Sequence, residues 1–132
     1  MEQIYFFKKL VISNLLVFIV YLISGFFESE QVTKINDELI NFESLSFEVL
    51  MLFVLLLFAA LIVHLLSFYF LYNLKKKGKS FFTISLLVML VLNFLYPSAS
   101  DRLTFLLYSC YLIFSGGIIV LMYFTNLSTK FK

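Results

Sequence analysis

Four long apolar segments, separated by charged or polar stretches, make up most of the chain. They run over residues 10–27, 49–73, 81–96 and 103–124. Crossing a hydrocarbon core about 30 Å thick takes roughly 20 residues of helix, so each segment is close to the required length. Because lipid offers backbone groups no hydrogen-bond partners, each span is expected to be a helix. The pattern predicts an all-α membrane protein, a single domain with four transmembrane helices.

Turn and capping residues mark the ends of these segments. Gly78 lies where a glycine at a helix C-terminus is expected, and Ser80 can cap the next helix. Pro97 is expected to stop the third span, and Ser100 or Asp101 to cap the fourth. The second and third spans are therefore predicted to be joined by a short loop over residues 74–80.

The segment between the first two spans, residues 28–48, is the one sizeable loop. Val32, Ile35, Leu39 and Phe42 follow one another at intervals of three, four and three, which places them on one face of a helix. We expect a short amphipathic helix that lies on the membrane surface or on the ends of the spans. The alternative is a solvated linker with chance periodicity. If this loop has a functional role, it is the contact for an external ligand or partner.

Composition agrees with a membrane protein. Hydrophobic residues make up 62% of the chain and charged residues 14%, whereas soluble domains are nearer half apolar and a quarter charged. The net charge of +2 is small, so direct nucleic-acid binding is not expected. A single cysteine, Cys110, excludes an internal disulfide and any CxxC pair.

Basic residues concentrate on one side of the predicted spans. Eight of the ten are Lys8, Lys9, Lys75, Lys76, Lys77, Lys79, Lys130 and Lys132. Loop 28–48 is instead acidic. By the positive-inside rule, both termini and loop 74–80 are predicted to be cytoplasmic and loop 28–48 extracytoplasmic. We expect a multi-pass protein of the bacterial inner membrane whose first span is retained.

His64 is the one titratable group other than tyrosine and cysteine within the spans. As a neutral imidazole it can donate to a carbonyl or a hydroxyl of a neighbouring helix. Ionisable groups at membrane depth are often functional, so proton relay or pH sensing is the alternative. Neither a catalytic set, a metal site nor a cofactor site is expected, because the spans hold one histidine, one cysteine and no carboxylate.

Amides and small residues in the spans indicate helix packing. Asn14 and Asn93 are expected to bond across helix or subunit interfaces, and not to each other within one chain. Ser109 and Gly116 are seven residues apart, so they share one face of the fourth span, as do Cys110 and Gly117. This face is predicted to form a packing seam for another helix, although Gly116 and Gly117 can instead produce a kink.

Two functional classes fit these features. The first is a non-catalytic, homo-oligomeric sensor or anchor subunit that presents Lys75, Lys76, Lys77 and Lys79, with the C-terminal tail, to a cytosolic protein. The same lysines can instead serve only orientation and contact with anionic lipid. The second class is a small oligomeric channel whose path is lined by Asn14, Ser13, Thr83 or His64.

In its whole pattern of four spans, both ends inside and a central lysine loop, the chain resembles small four-helix membrane proteins of bacterial conflict systems. One group comprises membrane subunits of antiphage defence operons, such as the Kiwa membrane component. Another comprises immunity proteins against pore-forming colicins. The resemblance implies either infection sensing with a soluble partner or toxin blockade, and it assigns no individual residue a role.

Overall fold

The computed structural model describes residues 2–39, 47–95 and 99–132. These ranges are almost entirely helical and contain no strand. The α-helices are α1 Glu2–Ser24, α2 Glu30–Leu39, α3 Phe47–Tyr72, α4 Lys76–Leu95 and α5 Arg102–Phe124. Short 3-10 turns follow α1 at Gly25–Phe27 and α5 at Asn126–Lys130.

Four of these helices, α1, α3, α4 and α5, are long and apolar enough to cross a membrane. Large apolar side chains are exposed all around their outer surface, including Leu55, Phe58 and Phe94, which are 62%, 57% and 86% exposed. Exposing such a continuous apolar surface to water would be unfavourable for a protein of this size, whereas contact with lipid would not be. The prediction of an all-helical chain with four helices long and apolar enough to span a membrane is confirmed for the described residues.

Helix boundaries near the lysine run differ from the sequence-based expectation. α3 ends at Tyr72, and α4 already begins at Lys76, so Gly78 and Ser80 lie inside α4 instead of capping the two helices. The reversal is made by Leu74, whose φ of 52° is positive. A Cβ on Gly78 would lie 2.8 Å from the backbone nitrogen of Leu71. Glycine is therefore needed here because the first turn of α4 lies directly against the end of α3.

The capping expectation at the start of α5 holds only in part. Asp101 occupies the N-cap position with extended backbone, but its side chain makes no capping hydrogen bond. The carboxylate instead accepts hydrogen bonds from Ser29. Pro97 and Phe42, which the sequence analysis also used, lie outside the described residues.

The spanning helices form two close pairs, α3 with α4 and α1 with α5, and α1 also contacts α3. We call the end of the bundle formed by residues 73–79 and 125–132 the lysine end, and the opposite end, with α2 and residues 99–101, the α2 end. Buried apolar side chains concentrate in the half nearer the lysine end; they include Phe7, Val11, Phe68, Leu71, Phe82, Ile118, Met122, Leu127 and Phe131. The two pairs are therefore joined most firmly at the lysine end.

Candidate functional site

His64 lies at the centre of the bundle and is fully buried. Its Nδ1 is 2.8 Å from the Ser85 hydroxyl of α4, and its Nε2 is 2.8 Å from the Tyr111 hydroxyl of α5. Because the Ser85 hydroxyl donates to the carbonyl of Phe82, it accepts from Nδ1–H, and Nε2 then accepts from Tyr111. The imidazole is thus the neutral Nδ1–H tautomer and links α3, α4 and α5.

Aromatic rings enclose this histidine. Phe18 and Phe68 meet it edge to face with ring centroids 5.0 Å away, and Phe82 stacks on it at 5.1 Å. Ser67, on the same face of α3, donates to the His64 carbonyl and not to the ring. Both ring nitrogens of His64 therefore bond to side chains of neighbouring helices in the same chain, which is the arrangement expected for a role in helix packing.

The two asparagines bond to different residues of α5. Asn14 is fully buried, and its Nδ2 donates to the Ser115 hydroxyl at 2.9 Å, while its Oδ1 has no partner among the residues that the structure describes. Asn93 is exposed, and its Nδ2 donates to the Tyr108 hydroxyl at 3.0 Å. Both amides therefore bond between helices of one chain, α1 with α5 and α4 with α5.

Small residues of α5 do not all face the same neighbour. A Cβ on Gly117 would lie 3.4 Å from Leu10 of α1, so this glycine lies at a helix contact. A Cβ on Gly116 would meet nothing within 4 Å. Ser109 bonds to its own helix at Phe105, and Cys110 is exposed. Within one chain, Cys110 and Gly116 are exposed and Ser109 is half-buried.

Lys79 holds the C-terminal segment in place. Its ammonium group donates to the carbonyls of Met122 and Ser128, at 2.9 and 3.0 Å, and lies 4.5 Å from the centre of the Phe131 ring. The backbone of Lys132 also exchanges two hydrogen bonds of 2.9 Å with the turn after α3, at Leu74 and Lys76. Lys79 therefore contacts the chain's own tail, although the sequence analysis assigned it to a partner or lipid.

The other lysines of this end are exposed. Buried Leu127 and Phe131 fix the tail against the bundle, and the charged side chains around them point outward. We call the exposed set the lysine platform; it consists of Lys75, Lys76, Lys77, Lys130 and Lys132. Because tail and turn are joined by backbone hydrogen bonds, these charges lie on one ordered surface.

At the opposite end, α2 is fastened to the connection between α4 and α5. The Asn36 side chain donates to the carbonyl of Ala99 and accepts from its amide, at 3.1 and 2.7 Å. Ser29 donates its amide and hydroxyl hydrogens to the two carboxylate oxygens of Asp101, at 2.9 and 3.1 Å. These bonds hold the chain around Glu28 and Ser100 close to the helix ends.

Two adjoining cavities lie between the helix pairs in the half of the bundle nearer the α2 end. One, about 330 Å³, is walled mostly by aliphatic side chains such as Leu57, Ala60 and Met89. The other, about 360 Å³, is lined by polar groups that include Glu28 and Thr104. Four residues border both cavities: Tyr21, Leu22, Asn93 and Tyr108.

Sequence reasoning identified His64, Asn14 and Asn93 but not their partners. Ser85, Tyr111, Ser115 and Tyr108 are separated from them by 21, 47, 101 and 15 residues, so no local pattern indicates the pairing. The cavities were not predicted either.

Across the ranges that the structure describes, no three His, Cys, Asp or Glu side chains come together in a way that could hold a metal ion. Comparison of the chain with protein-family models, with curated proteins and with solved structures finds no match.

Proposed function

We propose that this chain is a non-catalytic sensor or anchor subunit of the bacterial inner membrane that presents the lysine platform to a cytosolic protein. The observation that carries the proposal is the fastening of the tail to the α3–α4 turn by Lys79 and Lys132. A surface whose backbone is already fixed loses less conformational entropy when a partner binds. Orientation of the chain in a membrane would require only the number of lysines, not their arrangement on an ordered surface.

The topology in this proposal places both termini and the platform in the cytoplasm and α2 outside. Lys8 supports it, because its ammonium lies 4.6 Å from the centre of the Tyr72 ring, at the same end as the platform. Lysines of the N-terminal segment, the turn and the tail thus share one end, as the positive-inside rule requires. In a Cys110→Ser background, a membrane-impermeant maleimide should label Gln31→Cys but not Lys77→Cys in intact cells. The opposite labelling pattern would contradict the topology.

The partner expected at the platform is a protein with an acidic surface. Like charges held side by side attract an oppositely charged surface and speed its association, and this attraction weakens with ionic strength. Anionic lipid headgroups offer the same charge, so an experiment must separate the two.

The test compares wild-type protein with a Lys75→Gln, Lys76→Gln, Lys77→Gln variant in nanodiscs of uncharged phosphatidylcholine, where anionic lipid is absent. Lys34→Gln, at the α2 end, is the matched control. A cytosolic protein that is first identified by cross-linking to the wild-type chain in cells, and is then purified, should bind nanodiscs of wild type and of the control but not nanodiscs of the triple variant. Binding of the cytosolic protein to all three versions would refute the platform as the binding surface. So would a result in which the triple variant loses only co-purified anionic lipid and still binds the protein.

The homo-oligomer in this proposal uses the face of α5 that carries Ser109 and Gly116, where Gly116 is exposed and a Cβ on it would have open space. Small residues allow a second helix to approach closely. In a Cys110→Ser background, a short bis-maleimide should therefore cross-link Ser109→Cys between copies in membranes, and Gly116→Leu should reduce the yield. If Gly116→Leu leaves the yield unchanged, α5 is not the interface.

The resemblance to antiphage membrane subunits makes infection the proposed stimulus. Cells that express the chain with its neighbouring genes should show a lower plating efficiency of phage than cells carrying the lysine triple variant. Equal plating on both strains would separate the chain from defence while leaving the anchor role to the cross-linking test.

A further inference from the structure

The two adjoining cavities together have the form of a binding site for an amphiphile. They arise because the helix pairs are joined mainly in the half nearer the lysine end, which leaves space between them toward α2. At about 330 and 360 Å³, each cavity lies within the range of small-molecule sites. An apolar chamber that continues into a polar one suits a molecule with a hydrocarbon tail and a polar head.

The apolar chamber is bordered by all four spanning helices. Its walls include Leu57 and Ala60 of α3, Met89 of α4, Leu22 of α1 and Leu112 of α5. Such a wall offers dispersion contacts and no competing charge. Since most of the wall is aliphatic, the part of the ligand that enters it is expected to be hydrocarbon.

Three polar groups at the other chamber have no hydrogen-bond partner among the described residues. Thr104 is only 6% exposed, yet its hydroxyl is unbonded. The Tyr21 hydroxyl and the Glu28 carboxylate also lack partners there. These groups face the cavity, so each can accept a hydrogen bond from a donor group that enters it.

The charge in the polar chamber is negative. Within the described ranges no ammonium or guanidinium group pairs with Glu28, and the neighbouring acid, Asp101, already accepts two hydrogen bonds from Ser29. The phenol rings of Tyr21 and Tyr108 border the same space. A carboxylate next to aromatic rings is the arrangement that recognises an organic cation.

We propose that the two-part cavity binds an amphiphile with a primary ammonium head at Glu28, Thr104 and Tyr21 and a hydrocarbon tail in the apolar chamber. The three donors of a primary ammonium match these three acceptors. Ethanolamine phospholipids and free long-chain amines share this chemistry. The site is independent of the lysine platform and of any cytosolic partner.

The binding assay uses the absence of tryptophan from the chain. Leu57→Trp places an indole at the apolar chamber, and 8-bromooctylamine is the quenching probe in phosphatidylcholine nanodiscs. Leu55→Trp, two residues away at a position 62% exposed and outside the cavity lining, reports quenching by probe dissolved in the membrane. We expect saturable quenching of Leu57→Trp and only gradual, non-saturating quenching of Leu55→Trp.

Two pairs of variants test the two chambers in the Leu57→Trp background. Glu28→Gln should weaken binding roughly three- to fivefold, because it removes one partly exposed charge pair, whereas Glu30→Gln outside the cavity should not. Ala60→Leu should weaken binding about tenfold or more by filling the apolar chamber, whereas Ala59→Leu on the outer face of α3 should not. Circular dichroism and gel filtration are the controls that check whether each variant is folded.

The outcomes separate cleanly. Equal, non-saturating quenching at both tryptophan positions would overturn the proposal, and 8-bromooctanoate that binds as well as the amine would overturn the ammonium assignment. Competition by phosphatidylethanolamine, but not by phosphatidylglycerol, would identify a lipid as the occupant; saturable binding without such competition would identify a free amine. The lysine triple variant should bind the probe normally, so failure of the partner proposal leaves this result unaffected.

Discussion

The hydrogen bond between His64 and Tyr111 should be a measurable source of stability. It joins α3 to α5 at 2.8 Å between fully buried His64 and nearly buried Tyr111. Interhelical hydrogen bonds in membrane proteins average about 0.6 kcal/mol and reach about 1.7 kcal/mol. Because both groups are shielded by aromatic rings and neither reaches solvent, we expect the upper part of that range, about 1 to 1.5 kcal/mol.

The measurement is a double-mutant cycle of His64→Leu and Tyr111→Phe. Each single change removes the bond, while leucine and phenylalanine keep approximately the original side-chain volume. His64→Leu alone should cost about 2 to 3 kcal/mol of unfolding free energy, because it also loses the bond to Ser85 and the ring contacts. The coupling energy extracted from the cycle isolates the single bond to Tyr111.

The exposed pair Asn93 and Tyr108 provides the matched cycle, with Asn93→Leu and Tyr108→Phe. Its bond is also interhelical, at 3.0 Å, but it lies at the surface, so we expect coupling below about 0.5 kcal/mol. Reversible unfolding in mixed micelles, followed by circular dichroism, gives all the free energies. Coupling for His64 and Tyr111 no larger than for the surface pair would show that the central cluster does not hold the helices together.

Three further results are expected. Lys79→Gln should lower the unfolding free energy by about 1 to 2 kcal/mol and speed hydrogen exchange over residues 126–132, because the tail loses its charged donor; unchanged exchange would contradict the role of Lys79. Gly78→Ala should lower the unfolding free energy by more than about 1 kcal/mol, since its Cβ would lie 2.8 Å from backbone atoms. Gly116→Ala is the control and should not lower it, because a Cβ there would meet nothing within 4 Å. Equal effects of the two changes would contradict the close approach of α4 to α3 at Gly78. Partial burial and the Asp101 carboxylate raise the pKa of Glu28 above its ordinary value, so the carboxylate becomes neutral at a higher pH than usual when the solution is acidified. The affinity of 8-bromooctylamine should therefore fall as the pH drops through the pKa of Glu28, and it should be constant at neutral pH. The same pH profile in Glu28→Gln would refute the assignment.

The apolar segments predict the four long helices well because the physical requirement is local: enough consecutive apolar residues to cross the hydrocarbon core. Boundaries were less predictable. Gly78 has the local appearance of a helix C-terminus, and only the packing of α4 on α3 reveals that it allows a close backbone approach instead. Lys79 similarly belongs to a charge run, but the carbonyls that it binds are 43 and 49 residues away.

The candidate site was predicted only through its rarest residue types. His64 and Asn14 are conspicuous because polar groups are uncommon in an apolar helix. Thr104 and Tyr111 are not, since a threonine or tyrosine in a membrane helix is ordinary and gives no sign of its surroundings. The cavities depend on where two helix pairs separate, which is a property of packing and has no local signature in the sequence.

The uneven packing of the bundle also determines where it can move. The helices within each pair make the most extensive contacts, while the shared core that joins the pairs lies mainly in one half of the molecule. Changing the angle between the pairs would disturb few core contacts at the α2 end, where the Asn93–Tyr108 hydrogen bond joins them, and many core contacts at the lysine end. A small separation of the helix pairs at the α2 end would therefore correspond to a slight rotation of one pair against the other at the lysine end. The lysine platform would turn with that rotation.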